Sequence, residues 1–179
     1  MDFVAVLKRI GDRLEREGQP FALVGGLGLA ALGITRATLD LDLLVSARGQ
    51  DAVIDFMEEL GYETLHRSTG YSNHLHAEEA FGRVDFVYVR GDTEKKIFAG
   101  ALRMEGPGGA GVLVPRPEHL AAMKVLAMKN DPTRRLQELA DIARLLAIDG
   151  VDGQEIRDAF ERYGMLGFWD ELDQGHGTD

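Results

Sequence analysis

The sequence predicts a mixed α/β (α+β) fold, in which strands and helices alternate in the first part of the chain and helices alone follow. Short apolar runs bounded by glycine and polar residues are typical of buried strands, and they occur at residues 21–24, 39–45 and 83–89. Apolar residues at helical spacing dominate the second part, at residues 117–129, 132–148 and 153–163. We therefore divide the chain into a core at residues 1–114 and a helical C-terminal region at residues 115–179, packed on that core.

The elements of the core follow in order from local patterns. Apolar positions predict a helix over residues 2–17, and Gly18-Gln19-Pro20 ends it. Strand 21–24 is followed by a short helix over 27–32, strand 39–45, and an amphipathic helix over 50–60 that Gly61 ends. The remaining predictions are a meander of strands at 62–66, 73–78 and 83–89, a helix over 93–102 and a short strand at 112–114. Together they give a mixed, mostly antiparallel sheet of about five strands with flanking helices.

Composition narrows the function classes. The chain has 179 residues and no cysteine, which excludes disulfides and thiolate metal sites. Its formal net charge of −10 argues against a broad contact surface for duplex nucleic acid, although a local basic cleft stays possible. No apolar run is long enough to span a bilayer and no signal peptide is evident, so we expect a cytoplasmic protein without a membrane partner.

Three carboxylates interrupt apolar strands. Asp40 and Asp42 alternate with leucines, so both side chains project from one face of their strand, roughly 6–7 Å apart at the backbone. Asp85 has the same setting among apolar residues of strand 83–89. If the two strands are neighbours, the three carboxylates form a site for one or two Mg²⁺ ions, which prefer oxygen ligands. The alternatives are an ordinary half-exposed strand for Asp40 and Asp42, and an edge position for Asp85 beside Arg83 or Arg90.

A glycine turn precedes the first of these strands. Gly25-Gly26 lies between strand 21–24 and the start of a helix. Glycine permits positive φ and close backbone approach, and helix N-termini present free N–H groups to anions. A Gly-Gly pair alone is weak evidence, but beside Asp-x-Asp on the next strand it predicts a seat for nucleotide phosphates.

These residues resemble a known group of enzymes. The pattern Leu23-Val24-Gly25-Gly26, followed by Gly33-x-x-Arg36-x-Thr38-x-Asp40-x-Asp42, is similar to the polymerase-beta-like nucleotidyltransferase superfamily. It most resembles the AbiEii-like branch, which includes nucleotidyltransferase toxins of bacterial toxin–antitoxin and phage-defence systems. The helical motifs around Lys124, Lys129, Glu138 and Asp141 are similar to those of the same branch.

The resemblance implies a nucleotidyltransferase-type fold and an enzyme that transfers a nucleoside monophosphate from an NTP to a hydroxyl acceptor. The acceptor could be a tRNA, a protein or a small molecule. The implied catalytic and metal-binding residues are Asp40, Asp42 and Asp85. The implied nucleotide-binding residues are Gly25, Gly26, Arg36, Thr38, Lys124, Lys129 and Asp141. Gly26 stands where many members have serine.

The implied nucleotide-binding residues could also have purely structural roles. Lys124 and Lys129 could simply solvate a helix face, Asp141 could be a helix-face salt-bridge partner, and Arg36 could pair locally.

Two functions remain at this point. The first is an active, Mg²⁺-dependent nucleotidyltransferase, with a toxin role and a protein antitoxin as partner among the possibilities. The alternative is a catalytically silent nucleotide- or partner-binding module on the same fold. The three intact carboxylates favour the enzyme, because a silent relative has no need of such a cluster.

Overall fold

The computed structural model describes residues 1–176, with side chains up to residue 172. Within this range the strands are β1 (Phe21–Leu23), β2 (Asp40–Ser46), β3 (Tyr62–Arg67), β4 (Tyr71–His76), β5 (Arg83–Val89), β6 (Leu102–Glu105) and β7 (Gly111–Val114). The α-helices are α1 (Phe3–Arg16), α2 (Gly25–Ala31), α3 (Gln50–Glu59), α4 (Gly91–Ala99), α5 (Pro117–Asn130), α6 (Arg135–Leu146), α7 (Gly153–Arg162) and α8 (Leu166–His176).

A mixed sheet organises the described part of the chain. Its five strands follow the order β1-β2-β5-β4-β3. β2 and β5 are parallel, while the other neighbouring pairs are antiparallel. The predicted fold class, a mixed and mostly antiparallel sheet of about five strands with flanking helices, is confirmed. The meander prediction is confirmed as well, because β3, β4 and β5 pair in sequence.

The alternation in β2 explains how the sequence builds this strand. Leu41 and Leu43 are fully buried, whereas the intervening Asp40 and Asp42 are half-buried. From Leu43 onward both faces are buried, as the continuous apolar run requires of an interior strand. The predicted strand begins at Leu39, but Leu39 precedes β2 and is 88% exposed.

Some elements differ from the sequence predictions. Helix α2 begins at Gly25, two residues earlier than predicted, because the glycine pair itself forms the first turn. Helix α4 ends at Ala99 with Gly100 as its C-cap, and the residues after it form the β6–β7 hairpin in place of a longer helix. Helix α8 was not predicted at all.

The chain divides into two compact units, one formed by Met1–Pro115 and one that begins at Arg116. In the second unit, α5 packs against α6 and α7, and α7 packs against α8. The rings of Phe160 and Trp169 lie 5.8 Å apart and join α7 to α8. That the helical region packs on the core as a domain of its own stays a prediction. Over the described residues, no helix combines the length and the apolar character that crossing a membrane requires.

Candidate active site

The parallel pairing of β2 with β5 brings three carboxylates together. Asp42 lies directly opposite Asp85 in the register, and Asp40 lies opposite Arg83. One oxygen from each of Asp40, Asp42 and Asp85 lies within 4.8 Å of the other two, and all three residues are half-buried. The two predicted carboxylate strands are therefore neighbours, and the three side chains share one face of the sheet.

An arginine lies within this cluster. Arg83 Nε donates to both carboxylate oxygens of Asp85, at 2.9 and 3.1 Å. This hydrogen bond, together with the negative charges of Asp85, Asp40 and Asp42, outweighs burial and raises the pKa of Arg83 above its usual value. Asp85 does pair with Arg83, as one alternative expected, but β5 is an interior strand between β2 and β4.

The glycine turn lies against Asp42. Gly25 has a φ of +58°, and a Cβ at this position would be 1.8 Å from Asp42 Oδ2. Val24 N, just before the turn, donates to Asp42 O at 3.0 Å. Glycine at position 25 is therefore required twice, by its left-handed backbone and by the carboxylate beside it.

Thr38 connects the second glycine to the first carboxylate. A Cβ on Gly26 would be 2.6 Å from Thr38 Cβ, so this threonine occupies the space that a side chain at position 26 would need. Thr38 Oγ1 also donates to Asp40 Oδ1 at 2.7 Å, which orients that carboxylate. Arg36 Nη1 donates to Ala37 O at 3.2 Å.

The predicted nucleotide-binding residues of the helical unit have a different setting. Lys124 Nζ donates to Glu138 Oε2 at 2.9 Å and to Asp141 Oδ2 at 2.6 Å. The two carboxylates are 1% exposed and Lys124 is 8% exposed, so the three form a buried ion cluster, which Arg134 extends through Glu138 Oε1 at 2.7 Å. Lys129 Nζ lies 5.7 Å from the centre of the Tyr163 ring.

The structure thus brings Asp40, Asp42, Asp85, Gly25, Gly26 and Thr38 together in the first unit. It places Lys124 and Asp141 in a cluster of the second unit. The catalytic and metal-binding roles of the three carboxylates stay predictions, and so do the nucleotide-binding roles of Gly25, Gly26, Arg36, Thr38, Lys124, Lys129 and Asp141.

Arg83 is a residue of the site that the sequence predicts only as a possible neighbour of Asp85. Its position two residues before Asp85 places both side chains on one face of β5, and this was the available signal.

The sequence was compared with family profiles and with known proteins to find the family of this chain. A family profile described as an uncharacterised nucleotidyltransferase matches residues 2–169. The chain belongs to this nucleotidyltransferase family. The match spans both units, from the first residues of α1 into α8. None of the curated proteins matched the sequence.

Solved structures share the fold of this nucleotidyltransferase. The antibiotic-resistance factor ANT(2'')-Ia in complex with adenylyl-2''-tobramycin superposes with a TM-score of 0.66 at 15% identity, over 92% of this chain and 98% of that one. The lincosamide antibiotic adenylyltransferase LnuA, bound to lincomycin, gives 0.52 at 19% identity over 80% and 96%. An antigenic nucleotidyltransferase-like protein from Paracoccidioides brasiliensis gives 0.56 at 16% identity over 96% and 92%. At these identities the likeness concerns the fold.

Proposed function

We propose that this chain is an active, Mg²⁺-dependent nucleotidyltransferase that moves a nucleoside monophosphate from an NTP to a hydroxyl acceptor. The convergence of Asp40, Asp42 and Asp85 beside the Gly25-Gly26 turn supports this proposal most directly. A silent binding module is disfavoured, because the single positive charge of Arg83 compensates only part of the repulsion among three carboxylates that lie within 4.8 Å of one another.

The donor set fits magnesium. All three side chains offer hard oxygen ligands, and the described residues of the cluster include no histidine that would favour a softer metal. When bound, Mg²⁺ would neutralise charge on the transferring phosphoryl group and on the departing pyrophosphate. Asp40, Asp42 and Asp85 would hold the metal.

The chain's own residues would orient this site. Thr38 orients Asp40 through its hydroxyl, and Arg83 contacts both carboxylate oxygens of Asp85 when no metal is bound. Because Gly25 and Gly26 have no Cβ, the backbone of their turn lies directly against Asp42 and Thr38, and we expect the nucleotide phosphates to bind beside this turn. In the reaction, the acceptor oxygen bonds to the α-phosphorus, the bond from that phosphorus to the β-bridging oxygen breaks, and pyrophosphate and a proton are released.

The acceptor class can be narrowed by charge. A chain with a formal charge of −10 is poorly suited to extended contact with a polyanion, so we favour a small hydroxylated molecule or a protein over tRNA. The antibiotics in the ANT(2'')-Ia and LnuA structures make aminoglycosides and lincosamides reasonable first acceptors to test. The AbiEii-like subtype, a toxin role, an antitoxin partner and a cytoplasmic location remain hypotheses that rest on the sequence alone.

The proposal is tested by following pyrophosphate release and label transfer from α-labelled NTPs in the presence of Mg²⁺. The acceptor panel contains an aminoglycoside, a lincosamide, tRNA and a protein extract. We expect transfer to at least one class by the wild type and none by Asp42→Asn, whose melting temperature should show that it is folded. Equal transfer by both proteins would contradict the assignment of the carboxylates.

A further inference from the structure

We infer that Arg83 is the internal counter-ion of the carboxylate cluster and that it keeps metal affinity low until a nucleotide is present. The inference rests on the proposed function, since it concerns the same three carboxylates. Arg83 then has a positioning role. Without nucleotide, its guanidinium binds Asp85 and competes with the metal for that carboxylate. When a nucleotide binds, the guanidinium leaves Asp85 and binds the triphosphate.

The contact between Arg83 and Asp85 is built into one strand. The two residues are two positions apart on β5, so their side chains leave the same face, and β5 is held on both edges by β2 and β4. Arg83 Nε contacts both oxygens of Asp85, which are the atoms that a metal would use. The Asp85 side chain is 17% exposed, so the two charges interact in a partly desolvated setting.

The guanidinium also faces the other two carboxylates. Asp40 is its register partner on β2, and Asp42 lies one diagonal away. Both contribute to the stabilisation of the charged guanidinium. A divalent ion held by these carboxylates therefore experiences a unit positive charge a few ångströms away. In a water-like dielectric that repulsion lowers the metal affinity by about tenfold.

A triphosphate offers Arg83 another partner. Its side chain is 44% exposed, so the guanidinium can rotate without disturbing the core. The planar guanidinium binds phosphate oxygens bidentately, which compensates for the lost bond to Asp85. Nucleotide binding would then free Asp85 to bind the metal, so the metal ion and the nucleotide would bind cooperatively.

The inference is tested by titrating the full chain with Mn²⁺, using the electron paramagnetic resonance signal of the free ion to measure binding. The variants are Arg83→Met, which removes the charge, and Arg83→Lys, which retains it but cannot reproduce the same hydrogen bonds. Arg103→Met, at an exposed arginine on β6, is the matched control for loss of one positive charge. Melting curves confirm that each variant is folded.

Without nucleotide, we expect Arg83→Met to bind Mn²⁺ about tenfold more tightly than the wild type, and Arg83→Lys and Arg103→Met to bind like the wild type. With a non-hydrolysable NTP analogue present, the difference between Arg83→Met and the wild type should shrink. Equal or weaker Mn²⁺ binding by Arg83→Met in the absence of nucleotide would overturn the inference while leaving the metal site intact. If neither protein binds Mn²⁺, with or without nucleotide, both the inference and the proposed function fail.

Discussion

The substitution Gly25→Ala separates the two reasons for a glycine beside Asp42. The added Cβ would lie 1.8 Å from Asp42 Oδ2 and 2.4 Å from Cγ, so the carboxylate has to move. The backbone is also left-handed at φ +58°. Gly18 has a similar φ of +64°, but a Cβ there meets no atom within 4 Å. Gly18→Ala is therefore a control that carries the backbone strain without the clash.

We expect the strain to cost about 1 kcal/mol in both variants, after the gain from a less flexible unfolded chain. The clash adds about 1–3 kcal/mol in Gly25→Ala, as overpacking does elsewhere. Each kcal/mol should lower the melting temperature by about 2–4 °C.

The binding assay distinguishes the two variants more sharply. Displacing Asp42 should weaken Mn²⁺ binding by about ten- to a hundredfold in Gly25→Ala, whereas Gly18→Ala should bind like the wild type. If both variants lose the same stability and keep the same Mn²⁺ affinity, Gly25 does not shape the carboxylate site.

Three further predictions concern other contacts. Thr38→Val removes the hydrogen bond to Asp40 and should weaken Mn²⁺ binding about tenfold with little change in melting temperature; an unchanged isotherm would refute this. Lys124→Met removes the ammonium group that Glu138 and Asp141 share in a buried setting and should lower the free energy of unfolding by about 3–5 kcal/mol, against less than about 1 kcal/mol for Lys129→Met. Burial lowers the pKa of His74, although the negative charges of Asp85 and Glu58 act in the opposite direction. Because His74 binds a proton more readily in the unfolded state, the free energy of unfolding should fall as the pH drops through about 6.5. The fall in the free energy of unfolding should be smaller in His74→Gln and the same as in the wild type in His66→Gln, which alters an exposed histidine. The same pH dependence in the wild type and both variants would contradict this prediction.

Local alternation made much of the carboxylate site predictable. Leucines and aspartates alternate on β2, and this fixes which side chains share a face without any knowledge of tertiary structure. The sequence predicts the three-carboxylate site only if β2 and β5 are neighbours, and it does not predict that they are, because strand order depends on long-range contacts. It is the parallel register of Asp42 with Asp85 that meets this condition.

Other features depended on contacts that no local pattern encodes. Lys124 follows Leu120 by one helical turn and precedes Met128 by another, and both neighbours are buried, so its place on the buried face could have been predicted. Its two acidic partners lie on another helix and could not. Strand β6 has only four residues, too few for alternation to distinguish it from the end of α4, whereas β7 contains the short strand predicted at 112–114.

The central claim is that Asp40, Asp42 and Asp85 bind nucleotide through a metal, and calorimetric titration with a non-hydrolysable NTP analogue tests it most directly. The titration is run with Mg²⁺ and with a chelator, on the wild type and on Asp42→Asn. Without metal the carboxylates repel a triphosphate, whereas bound Mg²⁺ reverses the local charge. We predict that the wild type binds the analogue only with Mg²⁺ and that Asp42→Asn does not bind it. Binding should also raise the free energy of unfolding of the wild type by about 2.7 kcal/mol when the analogue is at a hundredfold excess over its Kd. Equal affinity of the wild type with chelator and with Mg²⁺ would contradict the account.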